Sequence, residues 1–108
     1  MDRSDVIKLI TTTKTQDSRG VWRKTYTPNQ VFVQVDSISM SEFYEAGRNG
    51  LNPAFRFRMF QGDYNGEETC EYKGLPYSIY RTFMRDDDTI ELYVQREVGS
   101  NGQETDNS

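Results

Sequence analysis

One stretch constrains the fold of this chain more than any other. Residues 54–61 place Phe55, Phe57 and Met59 in strict alternation with Arg56 and Arg58. That period of two reads as a strand with one apolar and one cationic face. The residues before it, 47–53, hold two glycines, two asparagines and a proline, and read as a loop. Arg48, Arg56 and Arg58 lie within residues 47–62 with no acid among them, although the whole chain has a net charge of −4. A basic loop feeding a strand in an acidic all-β domain points to a surface that meets another macromolecule, not to a catalytic pocket.

Strand patterns recur along the chain. Residues 6–12 are rich in β-branched side chains. Residues 21–26 put Trp22, Lys24 and Tyr26 on one face, and Thr27-Pro28-Asn29 reads as a break. Residues 30–36 put Val31, Val33 and Val35 on one side. Residues 67–73 read as a polar, edge-like strand. Residues 77–84 set Tyr77, Ile79, Arg81 and Phe83 on one face. Residues 89–96 turn Ile90, Leu92 and Val94 inward and Glu91, Tyr93 and Gln95 outward. Asn65-Gly66 is a tight-turn dipeptide, and Gly74-Leu75-Pro76 and residues 85–88 read as further turns. The period changes once. Ser39 followed by Glu42 forms a capping box, so residues 40–46 are expected to be a short helix with Gly47 as its stop. The expected fold is mainly β: a small antiparallel β-barrel or sandwich-like domain of about six to seven strands, with one short helix in a long inter-strand loop.

Size and composition narrow the functions. A chain of 108 residues is one domain, and it buries roughly 65% of its unfolded surface. Hydrophobic content is only 34%, but six Phe, seven Tyr and one Trp add large buried areas. The tyrosines fit either an interface or half-exposed strand faces. The single cysteine, Cys70, allows no internal disulfide, and a reducing compartment is the expectation. No segment has the pattern of a signal peptide or membrane span, so a soluble, cytoplasmic chain is expected. Histidine is absent, which removes the commonest general base and metal ligand. Residues 97–108 carry Glu97, Glu104 and Asp106 and no base, leaving 14 acids against 13 bases elsewhere. Residues 1–97 are expected to form the domain, and 98–108 a disordered acidic tail.

Candidate chemistry is sparse. Asp86, Asp87 and Asp88 are consecutive, without the spacing a calcium loop requires, and read as a solvated turn. Cys70 has no histidine to activate it, and its acidic neighbours Glu67, Glu68 and Glu71 disfavour a thiolate. No phosphate-binding glycine loop is present. No catalytic residue, metal ligand or cofactor is therefore expected. Arg56 and Arg58 either contact DNA or a neighbouring subunit, or pair with acids on an adjacent strand such as Glu67, Glu68 or Glu71.

The order of segments resembles a known family. A Gly-Val-Trp-Arg return (20–23) precedes a Val-rich strand. Ser-Glu-Phe-Tyr-Glu-Ala-Gly (41–47) leads into a loop and Phe-Arg-Phe-Arg-Met (55–59). Glu-Tyr-Lys-Gly-Leu-Pro-Tyr-Ser-Ile-Tyr (71–80) follows, with Tyr72, Gly74, Tyr77 and Ile79 in a Tyr-x-Gly-x-x-Tyr-x-Ile element. Over about residues 5–97 this resembles the head-tail joining, or head-closure (stopper), proteins of tailed bacteriophages, siphophage type.

The resemblance implies a structural virion protein of a phage or prophage, made in the host cytoplasm and not associated with membrane. It implies a homo-oligomeric ring, typically a dodecamer, below the portal and adaptor proteins. That ring closes the channel on packaged double-stranded DNA and receives the tail-completion protein. It also implies that residues 39–53 approach the channel, which makes Glu42, Glu45, Gly47, Arg48, Asn49, Gly50 and Asn52 the candidate channel-facing residues. The alternative reading is a single-stranded nucleic-acid-binding β-barrel of the OB type, with Tyr and Phe as stacking platforms.

Overall fold

The structure, a computed structural model, describes residues 5–97. The expected tail at 98–108 lies outside the described residues. Six strands run in chain order, β1 (Asp5–Gln16), β2 (Trp22–Asp36), β3 (Pro53–Phe60), β4 (Thr69–Tyr72), β5 (Leu75–Met84) and β6 (Thr89–Arg96). One helix, α1 (Met40–Arg48), joins β2 to β3, and a single 3-10 turn, Gln61–Asp63, follows β3. All pairings are antiparallel. The strand order is β1-β2-β3-β6-β5-β4, and β4 pairs back onto β1, so the sheet closes on itself. The fold is mainly β, as expected.

Closure explains how so few hydrophobic residues suffice. Each strand turns alternate side chains inward. Ile7, Leu9, Val31, Val33, Phe57, Met59, Ile90, Leu92 and Val94 fill the interior, with Cys70, Tyr72 and Tyr77 beside them. Phe55, Phe57, Tyr72 and Tyr77 contact one another mostly edge to face, with ring centroids as close as 5.2 Å. Phe57, Tyr72 and Tyr77 are core, so they offer no stacking face to a ligand, and Phe55 is half-buried against them.

Several sequence expectations are corrected. Thr27-Pro28-Asn29 does not interrupt a strand: β2 runs through it, with Pro28 opposite Ile10. A proline is tolerated there because β3 pairs with β2 only from Gln34 onward, leaving the far edge of β2 open at Pro28. Asn65-Gly66 is not a hairpin turn, since β3 pairs with β2 and β6 while β4 pairs with β1 and β5. The tight turn is instead Lys73-Gly74, both at positive φ (53° and 79°), which suits a two-residue hairpin. β4 is shorter than expected and is paired on both sides, so it is no edge. On β5 the register shifts between Ile79 and Arg81. This bulge keeps Tyr77 and Ile79 inward but sends Arg81 and Phe83 outward, opposite Tyr93 and Glu91.

β1 and β2 outrun the closed sheet. Residues 11–30 form a two-stranded arm whose side chains are exposed, apart from half-buried Asp17. Asp17 shapes its tip: Oδ1 accepts the Arg19 and Val21 amides, both at 2.9 Å, while Gly20 sits at φ 81°. The molecule measures 49 × 31 × 22 Å. The arm leaves at the end of the sheet that carries the β5–β6 turn, and α1 lies at the other end.

Candidate functional site

The excursion of residues 39–53 is ordered by local chemistry. Ser39 caps α1, its hydroxyl accepting the Glu42 amide at 3.2 Å. The capping box is only half formed, because the Glu42 carboxylate does not return to Ser39. It crosses to β5, where it accepts the Tyr80 hydroxyl at 2.9 Å and a charge-assisted bond from Arg81. The helix also runs further than expected, through Gly47 to Arg48. Its end is a Schellman closure. The Leu51 amide donates to the Ala46 carbonyl (3.1 Å) and the Gly50 amide to the Gly47 carbonyl (3.1 Å), with Gly50 at φ 79°. Gly50, not Gly47, is the residue that lacks a Cβ for conformational reasons.

The seven candidate loop residues therefore fall into two groups. Glu42 and Asn52 fasten the excursion to the body. The Glu42 side chain is mostly buried, and the Asn52 amide donates to Gln95 Oε1 of β6 at 3.0 Å. Glu45, Gly47, Arg48, Asn49 and Gly50 lie between those anchors and are exposed. Arg48 pairs with Glu45 at 3.2 Å, and Asn49 Nδ2 donates to the Glu45 carbonyl at 3.2 Å. Beneath α1 a groove of about 490 Å³ is lined by Glu42, Glu45, Ala46, Leu51, Tyr80 and Arg81, among others. Met40, Phe43 and Tyr44 expose an apolar surface on α1.

Arg56 and Arg58 lie on the outer face but are committed to carboxylates. Arg56 is 3.3 Å from Asp36, and Arg58 is 3.7 Å from Asp36 and 3.6 Å from Glu91. The expectation of acidic partners on a neighbouring strand is met by β2 and β6, not by Glu67, Glu68 or Glu71. Glu91 is only 3% exposed despite facing outward. Arg85 at 2.7 Å, Arg58 and the Tyr93 hydroxyl at 2.9 Å surround it. The Arg81 guanidinium covers the Tyr93 ring at 4.0 Å. A polar network thus runs from Glu42 on α1 through Arg81 and Tyr93 to Glu91, Arg58 and Asp36. Sequence reasoning missed Tyr80, Arg81 and Glu91 because it depends on a bulge and on which strands become neighbours.

This network sets ionisation. Burial disfavours the Glu91 charge, but bonds from Tyr93 and Arg85 outweigh that and hold its carboxyl below the ordinary value. Burial, then the bond to Glu42, pushes the Tyr80 phenol up. Burial, with a smaller contribution from Glu97, pushes the Cys70 thiol up to about 12. That thiol is a packing group, and at neutral pH it supplies no thiolate. Among the described residues, no group of three or more potential ligands is gathered to hold a metal ion. Asp86–Asp88 form a turn in which Asp87 accepts the Thr89 hydroxyl. Among the described residues no helix is long and apolar enough to cross a membrane.

The fold defines a class: a small, closed, six-stranded antiparallel domain with one helix in the β2–β3 connection. Among solved structures the chain is similar to protein SF1141 from Shigella flexneri 2a, with a TM-score of 0.72 at 16% identity, covering 87% of this chain and 92% of that one. That likeness speaks for the fold alone. No protein-family model and no curated relative matches the chain.

Proposed function

We propose that this protein is a structural head-completion subunit of a tailed phage or prophage. Copies form a ring at the portal vertex, close the DNA channel after packaging and connect head to tail. The partners are the portal and adaptor proteins, the tail-completion protein and packaged double-stranded DNA, and the finished protein resides in the virion.

The observation that carries this reading is the twice-anchored excursion. Glu42 and Asn52 fix its two ends to β5 and β6, while Glu45, Arg48 and Asn49 stand exposed between them. Rotation about an axis repeats each exposed charge once per subunit. Weak charge on one copy then becomes a band around the channel, and no subunit has to bind DNA tightly. The resemblance in segment order supports the same reading. Phe57, Tyr72 and Tyr77 are taken into the core and give the alternative OB-type reading no stacking face, whereas Tyr26, Phe32, Phe43 and Tyr44 are exposed.

The test removes the excursion. A chain lacking residues 45–52 is expected to keep its sheet by circular dichroism, while filled heads assembled with it lose their DNA. The paired reversal Glu45→Lys with Arg48→Glu leaves the helix intact and checks the charge itself. Heads that retain their genomes with both variants contradict the reading.

A further inference from the structure

The β1–β2 arm is unexplained by the closed sheet. Cross-strand register sorts its side chains onto two faces. One carries Thr11, Thr13, Thr15, Thr25 and Thr27, with Arg23 opposite Thr15 and paired with Asp17 at 3.5 Å. The other carries Thr12 opposite Tyr26, Lys14 opposite Lys24 and Gln16 opposite Trp22, and continues at its base through Ile10 opposite Pro28 and Lys8 opposite Gln30 to Val6 opposite Phe32. Trp22 is 65% exposed, Tyr26 62% and Phe32 62%. An isolated two-stranded ribbon is marginal in water, and this one exposes Trp22 and Tyr26 on one face, on either side of Lys24. Directly opposed like charges are also unfavourable. Among the described residues no carboxylate pairs with Lys14 or Lys24, so that pair calls for an anionic partner.

The rest of the molecule has the complementary chemistry. Residues 11–30 hold four cations and one acid, a net of +3, whereas residues 5–10 and 31–97 hold 8 cations and 13 acids, a net of −5. The β5–β6 end carries a groove of about 330 Å³ lined by Phe83, Met84, Arg85, Asp86 and Asp87. Phe83 is 53% and Met84 62% exposed. Arg85 bonds to Glu91 at 2.7 Å and also lies 3.9 Å from Asp87, so the groove presents two apolar side chains beside Asp86 and an Asp87 that is 61% exposed and already faces one cation. Its character, apolar and acidic, is the counterpart of an aromatic and basic ribbon.

We propose that the arm of one copy docks in the Phe83–Asp87 groove of a second copy. Trp22 and Tyr26 cover Phe83 and Met84, while Lys14 and Lys24 meet Asp86 and Asp87. Arm and groove stand at the same end of the sheet. The contact is heterologous and propagates from copy to copy. The claim rests on the ring reading, for which it names the subunit contact.

Trp22 is the chain's single tryptophan and reports on the arm directly. In the full chain, its emission should shift to the blue as protein is concentrated toward about 1 mM, where even a weak contact is populated. Sedimentation should show self-association over the same range. The double variant Asp86→Lys with Asp87→Lys should weaken association by about tenfold or more, since like-charge juxtaposition opposes docking. Adding Lys14→Asp and Lys24→Asp to that chain should restore it. No self-association, or association that the double variant leaves unchanged, overturns the proposal. A shift on adding a DNA oligonucleotide but none on concentration also overturns it and makes the arm a nucleic-acid element. A ring that forms on the portal without this contact sinks only the contact. The contact without a portal ring sinks only the proposed function.

Discussion

The carboxylate of Glu42, on helix α1, is held by the guanidinium of Arg81, 39 residues further along the chain on β5. Tyr80 donates to the other carboxylate oxygen at 2.9 Å. A bulge makes this possible, because it turns Arg81 outward beside Tyr93. A helix of nine residues is too short to persist alone. Its docking to β5 therefore governs the position of the whole excursion.

Replacing Glu42 with Gln should loosen α1 without unfolding the sheet. Arg81 is 44% exposed, which discounts the ion pair, so the local cost is about 1 kcal/mol. Amide exchange in residues 42–49 should quicken several-fold while the β6 amides keep their protection. Equal loss of protection in β6 would refute a local tether.

Glu91 is a different case. Its neutralisation as Glu91→Gln leaves Arg58 and Arg85 around a site that keeps its shape and loses its charge. Removing one member of a fully buried pair costs roughly 3–5 kcal/mol, and solvent access to Arg85 brings the expectation to about 2 kcal/mol. Urea unfolding should show a lower midpoint at unchanged slope. A midpoint unchanged from the parent chain would mean that the arginines are satisfied without it.

The two glycines at the end of α1 should respond in opposite directions. Gly47 lies within the helix, and a Cβ built there meets nothing within 4 Å. Gly47→Ala should add up to about 1 kcal/mol from helix propensity. Gly50 sits at φ 79° as the Schellman residue, and Gly50→Ala should cost about 1–2 kcal/mol. Thermal melts of the pair decide this, and a loss at Gly47 equal to that at Gly50 would contradict the placement of the cap.

Stability should fall at both extremes of pH. The Glu91 carboxyl is depressed in the fold, so its contribution is present above the ordinary value of 4.5 and is lost as pH falls through the lower folded value. Tyr80 is raised, so its contribution is full below the ordinary 10.0 and is lost as pH climbs through the higher folded value. Glu91→Gln should flatten the acid limb and Tyr80→Phe the alkaline limb. Unfolding curves across pH that keep both limbs in the variants would contradict these assignments.

What could be read from the chain was what depends on local period. Phe57 and Met59 went to the interior with Val31, Val33, Ile90, Leu92 and Val94, as their alternation required. The Ser39 cap placed the helix start. Non-local features were illegible. Pro28 reads as a break, yet an open strand edge tolerates it. Asn65-Gly66 reads as a hairpin, yet the strands on either side are not neighbours. Glu91 reads as an outward acid, yet Arg58 and Arg85 from other positions converge on it. The arm was hidden because its threonine and aromatic faces alternate just as a half-buried strand does.

Imaging the full-length protein mixed with a portal–adaptor assembly tests the central claim most directly. Negative-stain averages should show one additional ring below the adaptor, with the symmetry of that adaptor and a narrowed channel. Averages in which the portal–adaptor complex stays bare at saturating protein would contradict it.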